Sequence, residues 1–340
     1  MNILITGGAG YIGSHVVKQL LERTDHSVTI LDNLSTGSRK TLETLREIRD
    51  FDFIEMDLNQ FDAVFGLLEE NSIDTIIHFA ASIVVPESVA KPLEYYMNNI
   101  VNSTNLIDKA VKAGVQRFVF SSTAAVYGEP SSIPESGIDE SFSPSPINPY
   151  GWSKLMSEQV IRDSTLAYPS FKHVIFRYFN VAGADIFYDK EDQLSPRIGQ
   201  SFPNATHLIK IASECAVGKR EKMAIFGDDF STEDGTGVRD YIHIDDLASA
   251  HVEAIEYLID NSSDIFNVGY GRGYSVKEVI ETVKEVTHSE FPVDNASRRA
   301  GDPATLISNN SKIKENMNWI PKYNNLGLIC QSAYEWEKRV

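Results

Sequence analysis

Short apolar runs alternate with amphipathic stretches through the first half of the chain. Residues 2–6, 28–31, 51–56, 75–80, 117–121 and 173–178 read as strands. Residues 14–23, 42–48, 63–68, 89–113 (with Pro92 near the start) and 156–167 carry helical spacing. The run at 75–80 is apolar throughout, as expected of a strand covered on both faces. Repeated strand–helix units predict an α/β fold, a Rossmann-like doubly wound parallel sheet with right-handed crossovers. Beyond about residue 180 the loops become more polar, at 189–203, 227–237 and 298–303. Helical patterns recur at 245–258, 275–286 and 311–318, and short strands fit 223–226 and 265–268. This region reads as a smaller mixed α/β lobe over the carboxyl edge of the sheet, where such folds take ligands. The expected division is 1–180 for the first lobe, with 238–262 returning to it, and 181–340 mainly for the second.

Composition narrows the partners. A chain of 340 residues can bury a large core. Its net charge of -17 and pI ≈ 4.9 argue against nucleic acid and against anionic membrane surfaces. Cys215 and Cys330 form no disulfide framework and no metal-spaced cluster, and the eight histidines show no metal constellation, so no metal is expected. No apolar run is long enough to span a bilayer, and the first strand begins at Asn2, leaving no room for a signal core. The expectation is a soluble cytoplasmic protein.

Two constellations carry chemistry. The first strand breaks into Gly7-Gly8-Ala9-Gly10-Tyr11-Ile12-Gly13 and a helix follows. Strand, tight turn and helix N-terminus together suit a pyrophosphate, because the backbone approaches closely and the helix dipole faces the anion. The second strand ends in Asp32, placed to accept from an adenosine ribose hydroxyl; its charge repels a 2′-phosphate, which favours NAD over NADP. The second constellation is Ser121-Ser122-Thr123 at a strand end, with Tyr150 and Lys154 four residues apart on one helix face. An ammonium beside a phenol favours the phenolate, and a strand-end hydroxyl from Ser122 or Thr123 can bind a substrate oxygen. That equipment takes a proton from an alcohol while a hydride leaves the same carbon.

With those residues in place, the chain resembles the extended short-chain dehydrogenase/reductases. Further stretches narrow the resemblance to UDP-glucose 4-epimerases: Phe79-Ala80-Ala81, Asn98-Asn99, Val126-Tyr127-Gly128, Asn148-Pro149-Tyr150-Gly151, Arg177-Tyr178-Phe179-Asn180, the segment 232–243 and Arg298-Arg299-Ala300-Gly301-Asp302. The resemblance implies an isomerase that inverts the C4 hydroxyl of a UDP-hexose through a 4-keto intermediate, with tightly held NAD, in galactose and nucleotide-sugar metabolism. It implies that Tyr150, Lys154 and Thr123 are catalytic. For NAD it implies Gly7, Gly10, Tyr11, Ile12, Gly13, Asp32, Asn33, Asp57, Leu58, Phe79, Ala80, Ala81, Asn98, Ser121 and Tyr178, besides Tyr150 and Lys154. For the UDP-sugar it implies Asn180, Leu208, Ala224, Ile225, Phe226, Arg239, Arg299, Asp302 and Leu306, besides Thr123 and Tyr150. It also implies a homodimer through a bundle made by the helices in 89–113 and 153–167.

Three departures from the family pattern stand out. No lysine lies in Ser82-Ile83-Val84-Val85, where some members carry one near the cofactor. Thr123 replaces a common serine. Leu306 falls where a tyrosine excludes N-acetyl sugars and smaller residues admit them, which keeps a UDP-N-acetylglucosamine 4-epimerase open as an alternative. A nucleotide-sugar 4,6-dehydratase needs an acid and a base just after Thr123; Ala124-Ala125 supply neither. A non-catalytic NAD-binding protein would not need Tyr150 and Lys154.

Overall fold

The structure is a computed structural model that describes residues 1–130, 132–202, 206–299 and 302–340. Ala300 and Gly301 of the Arg298–Asp302 stretch, and Pro203 of the 189–203 loop, lie outside the described residues.

Seven parallel strands form the main sheet. They are β1 (Asn2–Thr6), β2 (Ser27–Asp32), β3 (Asp52–Glu55), β4 (Thr75–His78), β5 (Arg117–Thr123), β6 (Lys172–Tyr178) and β10 (Asp264–Val268), in the spatial order β10-β6-β5-β4-β1-β2-β3. The order reverses beside β1, so the crevice at that switch point opens at the carboxyl end of the strand that feeds the glycines. Strand interiors such as Ile3, Ile5, Ile76, Ile77, Phe118 and Phe176 are fully buried, because helices cover both faces.

Helix α1 (Tyr11–Arg23) begins three residues earlier than its apolar periodicity suggests, directly after Gly10. Helices α2 (Arg39–Arg46) and α3 (Phe61–Glu70) follow β2 and β3. The expected helix over 89–113 is broken into α4 (Val85–Ala90), α5 (Pro92–Tyr96), a π-turn at Met97–Val101 and α6 (Asn102–Ala113). Pro92 accounts for the first break: it has no N–H to donate and drives Lys91 out of the helical region, to φ -133 and ψ 57. Helix α7 (Pro149–Ala167) starts with Asn148 as its cap, whose side chain accepts from the Gly151 N–H.

The second lobe holds β7 (Asn180–Ala182), α8 (Leu208–Ala216), β8 (Met223–Phe226), β9 (Val238–His243), β11 (Gly273–Ser275), α10 (Val276–Thr287), β12 (Val293–Ala296), β13 (Thr305–Leu306), α11 (Ser311–Asn316) and α12 (Leu326–Glu337). Within 238–262, β9 pairs with β7, β11 and β13 in a small sheet, not with the main sheet. Helix α9 (Ile244–Asp260) does lie against α1, and β10 then joins the main sheet. Of the 238–262 segment it is thus α9, not β9, that packs on the main-sheet side. One buried cluster pins that packing: Lys18 of α1 donates to Asp185 and Asp245, each at 2.6 Å.

Candidate active site

The N-terminal loop is shaped by close approach. Gly7 sits at φ +73°, and a Cβ there would come within 2.8 Å of the Ala80 backbone nitrogen. A Cβ on Gly13 would fall 2.3 Å from the Gly7 carbonyl oxygen, so only glycine lets α1 seat on the loop. Gly10 caps α1 without a side chain, and a Cβ there would meet only the Gly7 carbonyl, at 3.3 Å. The helix N-terminus is thus open and uncapped, which fits a pyrophosphate. Tyr11 points to the other lobe, its hydroxyl donating to the Gly183 carbonyl at 2.6 Å, and Ile12 packs on the core.

At the end of β2 the Asp32 carboxylate accepts from the Ala9 and Leu34 N–H groups at 3.0 and 2.8 Å. Burial pushes Asp32 up from the usual carboxylate range, and the two N–H bonds oppose that. Each oxygen keeps a lone pair for a ribose hydroxyl. Asn33 is exposed and donates to Asp57 at 2.7 Å, which joins the ends of β2 and β3. Leu58 is buried in the apolar layer with Leu31 and Met56, so its side chain serves the core.

Beyond β4, half-buried Phe79 lies with its ring 4.9 Å from that of His251, and Ala80 and Ala81 follow. The next loop is tied down by the π-turn, where Asn98 donates to the Ser82 hydroxyl at 3.0 Å. Asn99, which sequence reasoning gave no individual role, is buried and more heavily engaged. It accepts from the Ser82 N–H, donates to the Ser82 carbonyl and donates to Ser153 of α7. No sequence signal marks it: the π-turn at Met97–Val101, a feature that gathers at functional sites, shows only in the fold.

Helix α7 brings Tyr150 to Thr123 and Lys154 to Ser121, both at the end of β5. The Lys154 ammonium donates to the Ser121 carbonyl at 2.7 Å and lies 4.9 Å from the Phe120 ring centre. Burial holds Lys154 down at about 7, with Glu158 pulling the other way. Burial pushes Tyr150 up to about 12, and the nearby Thr123 hydroxyl opposes it. Tyr178 pairs with Thr123 in the sheet register, and burial raises its phenol far above the ordinary range.

The second lobe contributes a cleft with a cavity volume of about 480 Å³. Asn180, Leu208, Ala224, Phe226, Arg239, Arg299 and Asp302 all line it. Ile225 does not: β8 alternates, so Ala224 and Phe226 share the cleft side while Ile225 is buried on the other; Met223, at the start of the strand, is buried and still borders the cleft. Leu306 is buried too, packed with Ala124, Val126 and Tyr127 behind the turn after β5. Arg239 is half-buried; its guanidinium donates to the Val238 carbonyl at 2.8 Å, and burial lowers its pKa while Asp302 raises it. Arg299 is exposed and lies 3.9 Å over the Phe226 ring. Arg220 and Lys222 also line the cleft, two cations that sequence motifs left out. Asn180 lies only two residues beyond Tyr178, so the chain itself joins the Thr123 end of the sheet to the cleft. Among the described residues no group of three or more His, Cys, Asp or Glu is arranged to hold a metal.

This geometry has clear relatives. A family model described as the NAD dependent epimerase/dehydratase family matches residues 3–269. The UDP-glucose 4-epimerase of Azospirillum brasilense is 46% identical over 337 residues, 99% of this chain and 92% of that protein. Its counterpart from Bacillus subtilis is 42% identical over 342 residues, 99% and 97% of the two chains. Among solved structures, the UDP-Glc/GlcNAc 4-epimerase of Campylobacter jejuni is 55% identical with a TM-score of 0.86, covering 100% of this chain and 99% of that one. The UDP-glucose 4-epimerase of Bifidobacterium longum, solved in complex with NAD+ and UDP, is 35% identical with a TM-score of 0.92, covering 100% and 98%. The chain belongs to the NAD dependent epimerase/dehydratase family, with UDP-glucose 4-epimerases as its full-length relatives.

Proposed function

We propose that this chain is an NAD-dependent isomerase that inverts the C4 hydroxyl of a UDP-hexose, interconverting UDP-galactose and UDP-glucose. The observation that carries the reading is the meeting of Tyr150, Lys154 and Thr123 at the end of β5, with Ala124 and Ala125 following in place of an acid and a base. When bound, NAD supplies a hydride acceptor that becomes the donor for the return step. The open N-terminus of α1 holds its pyrophosphate and Asp32 its ribose, with Phe79, Ala80, Ala81, Asn98, Ser121 and Tyr178 completing the pocket. Tyr150 as phenolate takes the proton from the sugar 4-OH and later returns a proton to that oxygen. Lys154 stabilises the phenolate, and Thr123 holds the sugar oxygen in line. Arg239 and Arg299 neutralise the diphosphate. A firm hold on the UDP end leaves the 4-keto sugar free to turn its other face.

The same reading assigns cofactor binding mainly to the first lobe and the UDP-sugar mainly to the second. It includes a homodimer. Val89, Leu93, Met97 and Val101 recur every four residues as exposed apolar side chains, and Trp152 and Met156 of the neighbouring α7 are exposed as well. A second copy of this chain would bury that stripe. It also includes a cytoplasmic location, in keeping with two free, buried cysteines. No helix among the described residues is long and apolar enough to cross a membrane.

A specific observation favours a second substrate. Leu306 packs behind the turn after β5 and is not among the cleft-lining residues, so it sets no bulky wall against an N-acetyl group. The C. jejuni enzyme, 55% identical, is described for both UDP-Glc and UDP-GlcNAc. UDP-N-acetylhexoses therefore belong to the proposed range.

The test is incubation of the purified protein with UDP-galactose and no added NAD. UDP-glucose should form, and denaturation should release NAD. Failure to form UDP-glucose while NAD is present in the protein would sink the reading. UDP-N-acetylgalactosamine in parallel decides the second substrate.

A further inference from the structure

Beneath the reactive pair lies a buried ionic network with no role in the steps above. Tyr150, Lys154 and Glu158 are four residues apart along α7 and share one face. Lys154 and Glu158 both reach the end of β5, Lys154 at the Ser121 carbonyl and Glu158 as acceptor from the Ser122 hydroxyl. Arg177, on neighbouring β6, grips Glu158 at two points, 3.0 Å from Nε and 2.6 Å from Nη2. The two side chains are 4% and 1% exposed. Arg177 also donates to the Tyr127 hydroxyl at 3.1 Å, and that hydroxyl donates to Asn267 at 2.7 Å. A buried ion pair is often no more stabilising than apolar residues of the same volume. Stability alone is therefore a weak reason for a pair one helical turn from the reactive lysine.

We infer that Glu158 and Arg177 are positioning residues for the proposed epimerisation, holding the end of β5 under Lys154 and supplying the anion that balances its ammonium so that Tyr150 can work as a phenolate. The inference rests on the proposed function. The titratable groups that act on Lys154 are His78 of β4 and Glu158 of α7, with Tyr150 one turn along the same helix; behind them on β6 lie Arg177, paired with Glu158, and Tyr178. From β5 Lys154 meets the Phe120 ring and a carbonyl, which carry no charge. Burial pushes His78 down to about 3, so it is neutral in the working range. Burial keeps Tyr178 neutral as well. Arg177 takes up part of the Glu158 charge in their two-point ion pair, and Glu158 still acts on Lys154 from the same helix face. Among the described residues, Glu158 is left as the carboxylate that raises Lys154 against its burial. Losing that anion deprotonates Lys154 at lower pH. A neutral amine does not stabilise a phenolate, so Tyr150 then ionises at higher pH.

The test reads Tyr150 directly. The ultraviolet difference between the NAD-containing protein and its Tyr150→Phe variant, followed against pH, reports that phenol alone. In Glu158→Gln the ionisation should move up by about one pH unit, a roughly tenfold loss of phenolate at fixed pH. In the same variant kcat near neutrality should fall with the phenolate, and its alkaline limb should move down, while the Kd for UDP holds. If Glu158→Gln leaves Arg177 stranded and does not fold, the double variant Glu158→Gln/Arg177→Met removes the stranded charge. It should shift Tyr150 the same way by less. A Tyr150 ionisation that stays at the parent pH in a folded variant overturns the inference, even if melting temperature and kcat drop. The titration needs no turnover. A parent protein inactive on UDP-galactose would sink the proposed function, whereas an active parent with unshifted variants would sink only this inference.

Discussion

Lys154 is buried on α7 with its ammonium on the Ser121 carbonyl, whereas Arg299 is exposed in the second lobe and lies over the Phe226 ring. Both are cations meant for anions. The first is locked by a helix, a strand end and an ion pair beneath it before any ligand arrives. The second lies in the exposed loop that follows β12 (Val293–Ala296), where any anion would be met in partly aqueous surroundings. Proton transfer requires that fixed geometry, because the phenol must meet one oxygen at one angle. Holding a diphosphate requires charge more than angle, and a guanidinium with several donors tolerates small displacements. The contrast predicts that damage on the α7 side appears in kcat and damage on the arginine side in KM.

Tyr150→Phe probes the first half and should have the largest effect. It removes the proton acceptor and leaves the ring, the helix and Lys154 in place. The expected loss is about 10²–10⁴-fold in kcat, the usual range for general acid–base catalysis, with KM for UDP-galactose changed little. Steady-state kinetics together with calorimetric binding of UDP check this. Equal loss of UDP binding would merge the two halves that the contrast separates.

Much of the α7 half was legible because its determinants are local. The glycines at 7, 10 and 13 specify a turn and a helix start within one short segment, and Tyr150 and Lys154 share a face by helical spacing alone. The alternation of β8 was legible as well: it assigns Ala224 and Phe226 to one side and Ile225 to the other, yet motif matching placed Ile225 with the ligand. What could not be read is what distant chain segments build together. Arg177 meets Glu158 across 19 residues, and Lys18 meets Asp185 and Asp245 across 167 and 227. No periodicity reports such pairs, because each residue alone has the pattern of a solvated charge. The π-turn was hidden for a related reason. Its residues, Met97–Val101, continue a helical pattern, and only the fold shows Asn99 turned inward onto Ser82 and Ser153.

The arginine half should respond differently. Arg239→Met keeps the side-chain bulk beside Gly237 and Ala304 and removes the charge. A lost hydrogen bond to a charged group costs about 1.5–3 kcal/mol, which is roughly 10–100-fold in binding. That loss should fall on KM for UDP-galactose and on the Kd for UDP, with kcat at saturation within about twofold of the parent. A variant that instead loses kcat at unchanged KM would place Arg239 in the chemistry and dissolve the contrast.

The finest distinction lies within the arginine half, between a cation held by backbone and one held by an aromatic face. Arg239 is braced by the Val238 carbonyl, whereas Arg299 lies 3.9 Å over Phe226. At an exposed site a cation–π contact is worth about 0.5–1 kcal/mol. Phe226→Leu keeps an apolar side chain on the cleft side of β8 but removes the π face. If that face pre-orders Arg299 for the diphosphate, KM should rise only about two- to fivefold, the binding equivalent of that energy. The rise should disappear in an Arg299→Met background, because the platform then has no cation to order. If Phe226→Leu costs as much with Arg299 absent as with it present, the ring acts directly on the uridine, and Arg299 finds its diphosphate without help from the fold.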